Sequence, residues 1–142
     1  MSVSTISVVG QEGFVDGTAT FIRSGVLYVA SSVVATASGQ RRLQWKPHTS
    51  GNFTEIFSPL SGNLQRFVII HDPVTDRLLV VWDEDAPSGT DGAIYAAFLN
   101  PTNGAVLVDR HQVAPKGRSP SIAYTGGVIG NDFTLAYLVR TL

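Results

Sequence analysis

"HDPVTDRLLVVWDEDAPSGTDGAIYAAFLNPTNGAVLVDRHQV", residues 71–113, carries the pattern that decides the fold. Apolar runs at 77–82 ("RLLVVW"), 93–99 ("AIYAAFL") and 105–108 ("AVLV") are separated by segments rich in Pro, Asp, Asn and Gly. Short runs of β-branched, aliphatic and aromatic residues bounded by such residues read as strands. The breakers "DPVTD" at 72–76 and "NPTNG" at 100–104 read as hairpin turns, because Pro pre-sets φ while Asn, Asp and Gly tolerate positive φ. Working outward, no segment sustains apolar residues at i, i+3 and i+4. Strands are expected at 3–9, 16–22, 25–35, 41–47, 53–58, 66–71, 77–83, 93–99, 105–113, 119–124 and 133–140. Two further turns are expected at "RSG", 23–25, and "HTSGN", 48–52.

The strands repeat. Residues 66–113 read as strand, turn, "RLLVVWDE", polar loop, "AIYAAFL", "NPTNG" and "AVLVDRHQV". Residues 16–58 follow the same order with "DGTATFI", "GVLYVASSV", "RRLQWKP" and "FTEIFS". "SPSIAYTGG" and "DFTLAYLVR" begin a further copy. The copies fall at 13–62, 63–117 and 118–142, within one domain over 1–142. A period of about 50 residues is that of propellers and repeat arrays.

The middle copy resembles the four-stranded blades of sialidase-like and related bacterial β-propellers. The residues that carry the likeness are Phe67-Val68-Ile69-Ile70, Asp72-Pro73, Asp76-Arg77, Leu79 to Glu84 and Ile94-Tyr95-Ala96, with Ser119 to Tyr124 opening the third copy in the same style. The first copy departs most, lacking the Asp-Pro turn and the Trp-Asp-Glu. The resemblance implies blades with the first strand at a central axis and the fourth at the rim. A propeller closes with roughly four to eight blades, and this chain supplies about two and a half. The expected fold is therefore all-β, an antiparallel meander of blade-like four-stranded repeats, forming a partial or oligomer-completed propeller. The alternative is a compact β-sandwich or barrel. In either case residues 3–9, "VSTISVV", are expected to pair with the C-terminal strands, in this chain or a neighbour, because a free apolar edge invites uncontrolled pairing.

Composition narrows the function. Charged residues make up 15% of the chain, against roughly 25% in ordinary soluble domains. Either Ser, Thr, Gly and Asn supply the polar surface, or much of that surface faces other protein. Net charge is −1 and Arg41-Arg42 is the one adjacent basic pair, so no basic stripe exists to follow a phosphate backbone, and nucleic acid is not an expected partner. No apolar run approaches the roughly 18 residues of a membrane span, and no membrane association is expected. "MSVSTISVVGQEG" lacks a basic region followed by a long apolar one, so no signal peptide is expected. There is no cysteine, which removes disulfides, thiolate catalysis and cysteine-zinc sites.

Candidate chemistry is sparse. The loop "DEDAPSGTDG" holds Asp83, Glu84, Asp85 and Asp91, hard oxygen ligands that suit calcium. It lacks the alternating ligands and terminal Glu of a helix-loop-helix calcium site. The plainer reading is a solvated loop, so no metal or other cofactor is expected, and Asp83, Asp85 and Asp91 remain the candidates against that. His48, His71 and His111 are scattered and suit turn and strand-edge hydrogen bonds. No Gly-x-Ser-x-Gly elbow appears. The sialidase likeness would imply convergent arginines and a Tyr–Glu pair, and no motif marks such a set. "TGGVIGND", 125–132, lacks the Lys and helix of a phosphate loop, and "NFT", 52–54, is a chance match to a glycosylation acceptor. The aromatics Tyr28, Trp45, Trp82, Tyr95, Tyr124 and Tyr137 alternate with apolar residues in strands, where core packing is the default. Trp45, in "RRLQWKPH", has polar neighbours and is expected to be exposed. Trp45 and Tyr95 are the sugar-binding candidates.

These features point to a non-enzymatic structural or interaction protein working in an oligomeric assembly. By class-level analogy the expectation is a phage virion accessory for head decoration, neck or tail attachment, located in the virion or cytoplasm. Its partners would be further copies of itself or other virion proteins. The alternative is a lectin built from propeller-like blades, with a glycan as ligand.

Overall fold

The structure, a computed structural model, describes residues 14–34, 41–49, 57–58, 64, 66–84, 91–124 and 133–139. Among them every regular element is a strand: β1 (Phe14–Arg23), β2 (Val26–Val34), β3 (Arg41–Pro47), β4 (Phe57–Ser58), β5 (Phe67–Asp72), β6 (Arg77–Asp83), β7 (Gly92–Leu99), β8 (Val106–Tyr124) and β9 (Phe133–Leu138). One sheet has the order β1-β2-β3-β4 and the other β5-β6-β7-β8-β9, so each strand pairs with its neighbour in sequence. All pairs are antiparallel. The chain is an all-β antiparallel meander, as its turn spacing implies. The expected segment 3–9 and residues 50–52 of the "HTSGN" turn lie outside the described residues.

The turns form as their residues dictate. Ser24 and Gly25 join β1 to β2 with φ of 50° and 75°, the two positive angles of a type I′ hairpin whose twist matches its strands. Between β5 and β6 the Asp72 carboxylate accepts hydrogen bonds from the Val74 and Thr75 amides and the Thr75 hydroxyl. Burial pushes the Asp72 pKa up, but these bonds and one from Arg77 outweigh it and hold the group below its ordinary value. Between β7 and β8, Asn100 and Asn103 side chains accept from the Thr102 and Ala105 amides, and Gly104 takes φ 73°.

β6 explains the architecture. Its run Leu78 to Asp83 is buried on both faces. Leu78, Val80 and Trp82 face one way, into a core shared with Phe67, Ile69, Ala97 and Leu99 of the same sheet. Phe21, Ala30, Leu43 and Trp45 of the first sheet, with Leu64, cover that side. Leu79 and Val81 face the other way, with Ile94 and Ala114, and are packed by Ile122, Phe133 and Leu135. The second sheet thus lies between the first sheet and the hairpin of late β8 and β9.

That hairpin departs from the expected strands. Residues 105–113 and 119–124 were expected as separate strands, but they form one 19-residue strand, β8. Its early half pairs with β7 through repeated register shifts, and its late half pairs with β9. Such bulges bend a strand and raise its twist, and Ser119, at φ 50°, adds a left-handed kink. The sheet therefore curls into a half-barrel, carrying Phe133 back to within 6.0 Å of Phe98, ring centre to ring centre. Gly117 makes the curl possible, since a Cβ there would stand 2.6 Å from the Tyr137 ring.

The two sheets are also tied at the turns. Arg23 donates to both Asp76 carboxylate oxygens, at 2.9 and 2.7 Å, and to Thr102 Oγ1 at 3.1 Å. His71 Nε2 lies 2.8 Å from the same Asp76. The Arg23 and His71 contacts hold the Asp76 carboxyl down at about 2.

Two outcomes follow from this packing. Trp82 is fully buried and its indole N–H reaches Glu84 Oε1 at 3.2 Å. Trp82→Ala should cost about 3–5 kcal/mol in a urea unfolding titration, and a loss below about 1 kcal/mol would contradict that burial. A carboxylate depressed in the folded state stabilises above its unfolded value, near 3.9, and that contribution fades as pH falls through the folded value. Wild-type stability should therefore decline from about pH 4 toward pH 2, and Asp76→Asn should flatten the decline over that window.

Candidate functional site

Coverage of the second sheet is unequal on its two sides. On the first side residues of β1, β2 and β3 share one core with residues of β5, β6 and β7. Leu43 and Trp45 of β3 are fully buried there, and the Trp45 indole donates to the Pro101 carbonyl at 3.0 Å. On the other side the covering strands among the described residues are late β8 and β9. Beyond β9 the sheet stays open over a cleft of about 280 Å³ lined by Leu79, Ala96, Phe98, Val108, Val113 and Leu135, among others. His111 is the one ionisable residue in its wall.

The rim continues the apolar character. Every residue from Val106 to Val113 is exposed, and Leu107, Val108 and Val113 are each more than 40% accessible. Among the described residues β9 hydrogen-bonds to β8 alone. An apolar cleft beside a run of exposed apolar strand residues is the character of a binding surface rather than of ordinary solvent-facing sheet.

The polar groups are drawn into structural pairs. Asp83, at the start of the acidic loop, is buried, 3.2 Å from Arg66, and accepts the Ser119 amide at 2.7 Å. Asp91 stands 3.6 Å from Arg118. Asp85 lies outside the described residues. Among the described residues no group of three or more acids and histidines is placed to hold a metal, and the turn at Ser119 explains the role of Asp83. A second depression, where β1, β5 and late β8 meet, is lined by Thr18, Arg66, Phe67, Val68, Ser119 and Pro120. Its charged group is Arg66, already committed to Asp83.

The aromatics need a correction. Trp45 was expected to be exposed but has no accessible surface. Its polar neighbours Gln44 and Lys46 belong to the other face of β3, so alternation buries the ring between the sheets. Tyr95 is partly buried, with Trp82 stacked 6.1 Å away and the Arg110 guanidinium 3.7 Å over its ring. Arg110 is fixed in turn by Glu84. These contacts occupy the Tyr95 ring, and the structure does not bring Trp45 and Tyr95 into one exposed platform. The arginines disperse likewise: Arg23, Arg66, Arg77, Arg110 and Arg118 each pair with a different acid.

The cleft residues were not singled out in the sequence. A signal was present in "AVLVDRHQV", where apolar residues occupy both parities of one strand, as on an element covered from more than one direction.

If the acids serve the fold and not a metal, treatment with a chelator should leave the melting temperature unchanged. A fall of many degrees, restored by calcium, would instead place a cation at Asp83, Asp85 or Asp91. No family model, curated protein or solved structure matches this chain, and its function has to be argued from the open cleft and its surroundings.

Proposed function

We propose that this chain is a non-enzymatic interaction protein that acts within an assembly, and that the open side of its second sheet is where another chain packs. One observation carries the reading: the apolar cleft beyond β9, continuous with the exposed Val106–Val113 strand. Charge is depleted there, as at the cores of protein interfaces. Its near lack of polar groups suits another apolar layer better than a sugar or an ionic substrate. The low charge of the whole chain agrees with this.

In its sharper form the reading is an oligomeric, blade-like part whose open layer is completed by further copies, so that partial propellers join into a larger ring or stack. The class of assembly we favour is a virion, with the chain as a head-decoration, neck or tail-attachment accessory of a phage. That placement rests on analogy with short all-β chains of modest charge and open edges. The lectin alternative depended on Trp45 and Tyr95, and the burial of one and the stacking of the other give it no support.

Mass in solution decides the matter. The wild-type chain should run as an oligomer in light scattering after gel filtration. Val108→Asp and Val113→Lys, exposed positions on the cleft wall, should shift it toward monomer while leaving its own melting transition in place. A wild-type chain that stays monomeric at high concentration, and does not copurify with particles or a partner, would overturn the proposal.

A further inference from the structure

We propose that Asn103, in the turn between β7 and β8, is a site of spontaneous modification, where the side-chain amide is lost through a succinimide, and that docking of the first sheet on this turn holds the reaction back. The inference is independent of the interaction role proposed above and concerns a covalent change in the chain itself.

Asn103-Gly104 is the sole Asn-Gly pair in the sequence. Asparagine is among the thermolabile residues, and a following glycine has no Cβ to hinder the approach of its own nitrogen. Water is the only co-reactant. The Gly104 amide nitrogen gives up its proton and attacks Cγ of Asn103. An N–Cγ bond forms, the bond from Cγ to the side-chain nitrogen breaks, and that nitrogen leaves with the proton as ammonia. Water then opens the cyclic imide, with no change of oxidation state. Opening at the side-chain carbonyl gives aspartate. Opening at the main-chain carbonyl gives isoaspartate, whose backbone runs through the former side chain and is longer by a methylene.

The turn opposes this step. The Gly104 N–H, whose proton must be removed, donates to the Asn100 carbonyl at 2.9 Å. Asn103 Oδ1 accepts the Ala105 amide at 3.0 Å, and the Asn100 amide donates to the Ala105 carbonyl at 2.8 Å. Ring closure takes the Gly104 N–H out of its bond and turns the Asn103 carboxamide toward it, so it needs the turn to open. Contacts from the first sheet resist that opening. Pro101 is fully buried, its carbonyl accepts the Trp45 indole at 3.0 Å, and the Thr102 hydroxyl accepts from Arg23 at 3.1 Å. Asn103 itself is exposed, so water for the second step is at hand once the ring has formed.

The two products leave the turn in different states. Aspartate keeps the backbone, and its carboxylate can still accept the Ala105 amide. Isoaspartate sets an extra methylene before Gly104, which has to hold φ at 73° and bond to Asn100. It lengthens a loop whose two ends are fixed to each other by the Asn100–Ala105 bond. That product carries Pro101 and Thr102 away from Trp45 and Arg23, so it loosens the docking that had suppressed its formation.

The test follows residue 103 by peptide mapping and mass spectrometry during incubation at mildly alkaline pH, in heavy-oxygen water so that the entering oxygen is seen. Compared are the intact chain, the same chain in urea, and a synthetic peptide of residues 99–106, "LNPTNGAV". The peptide and the urea-unfolded chain should be converted at similar rates, and the folded chain roughly tenfold or more slowly, as expected for chemistry confined to a locally opened fraction. Thr102→Val, which removes the Arg23 bond, and Trp45→Phe, which removes the indole donor, should speed conversion of the folded chain and leave the rate in urea unchanged. Thr102→Val, at an exposed position, serves where loss of the buried indole prevents folding. An unfolded chain left unconverted would overturn the site. Folded and unfolded chains converting at one rate would overturn its protection by the turn. A folded-state rate that Thr102→Val and a folded Trp45→Phe both leave unchanged would overturn the part assigned to docking of the first sheet.

Discussion

The structure depends on β6 being apolar on both faces. A strand with one buried face needs one covering layer. The run from Leu78 to Trp82 needs two, because Leu78, Val80 and Trp82 point one way while Leu79 and Val81 point the other. Burying a large apolar side chain stabilises by about 1.5–3 kcal/mol, so neither layer is dispensable. The first sheet supplies one. Among the described residues Ile122, Phe133 and Leu135 of late β8 and β9 supply the other. β8 has to leave the plane of its own sheet and return over it, and its bulges, Gly117 and the kink at Ser119 are the means.

The placement of charge follows from the same layering. Asp72, Asp76 and Asp83 stand at strand ends or turns, and Asp72 and Asp83 accept from backbone amides exposed by a turn or kink. Asp72 caps the β5–β6 turn, Asp83 takes the Ser119 amide at the kink, and Asp76 joins that turn to Arg23 of the other sheet. Each of the first two is buried, and each is matched by an arginine, Arg77 or Arg66, as an acid of low exposure requires. Acids that look like a ligand cluster in one dimension are thus split between unrelated tasks. The separation is invisible in "WDEDAPSGTDG" because the Ser119 amide that recruits Asp83 lies 36 residues away.

Local rules made much of the fold legible. β3 and β6 begin and end where alternation and turn residues place them, and β1, β2, β5 and β7 shift by a residue or two. The meander order was legible for the same reason, since each strand pairs with its neighbour in sequence, but the expected boundary between copies at 117 and 118 falls inside β8. The site was not, because it depends on what covers what. The single strand through residues 106–124 reads as two, since Pro115, Gly117 and Pro120 are breakers by composition. Here they bend a strand without ending it. Trp45 misled for a related reason. Polar neighbours at i±1 say nothing about exposure in a strand, where they belong to the opposite face, and the partner of its N–H, the Pro101 carbonyl, is distant in sequence.

The two sides of the second sheet differ in how the described residues cover them. On the covered side the meander runs to its third strand, and the core residues there are closed from solvent. On the other side late β8 and β9 pack on β6, and apolar groups of β7 and early β8 line the cleft beside them; among the described residues β9 pairs with β8 alone. A chain that relied on this side for its own stability would be expected to protect the edge with charge, proline or a bulge. Here the bulges serve the curl, and the Asp109–Arg110 pair is the one charged pair of neighbours along Val106–Val113, with Arg110 already bound to Glu84. Direct pairing of two copies through this strand is disfavoured where it is centred on that charged pair. A two-fold axis normal to the sheet preserves its faces, so residues of like parity must meet. A pairing centred on the charged pair then sets Asp109 against Asp109, or Arg110 against Arg110, across the ladder. The cleft lining carries no such pair of opposed charges, His111 being its one ionisable residue.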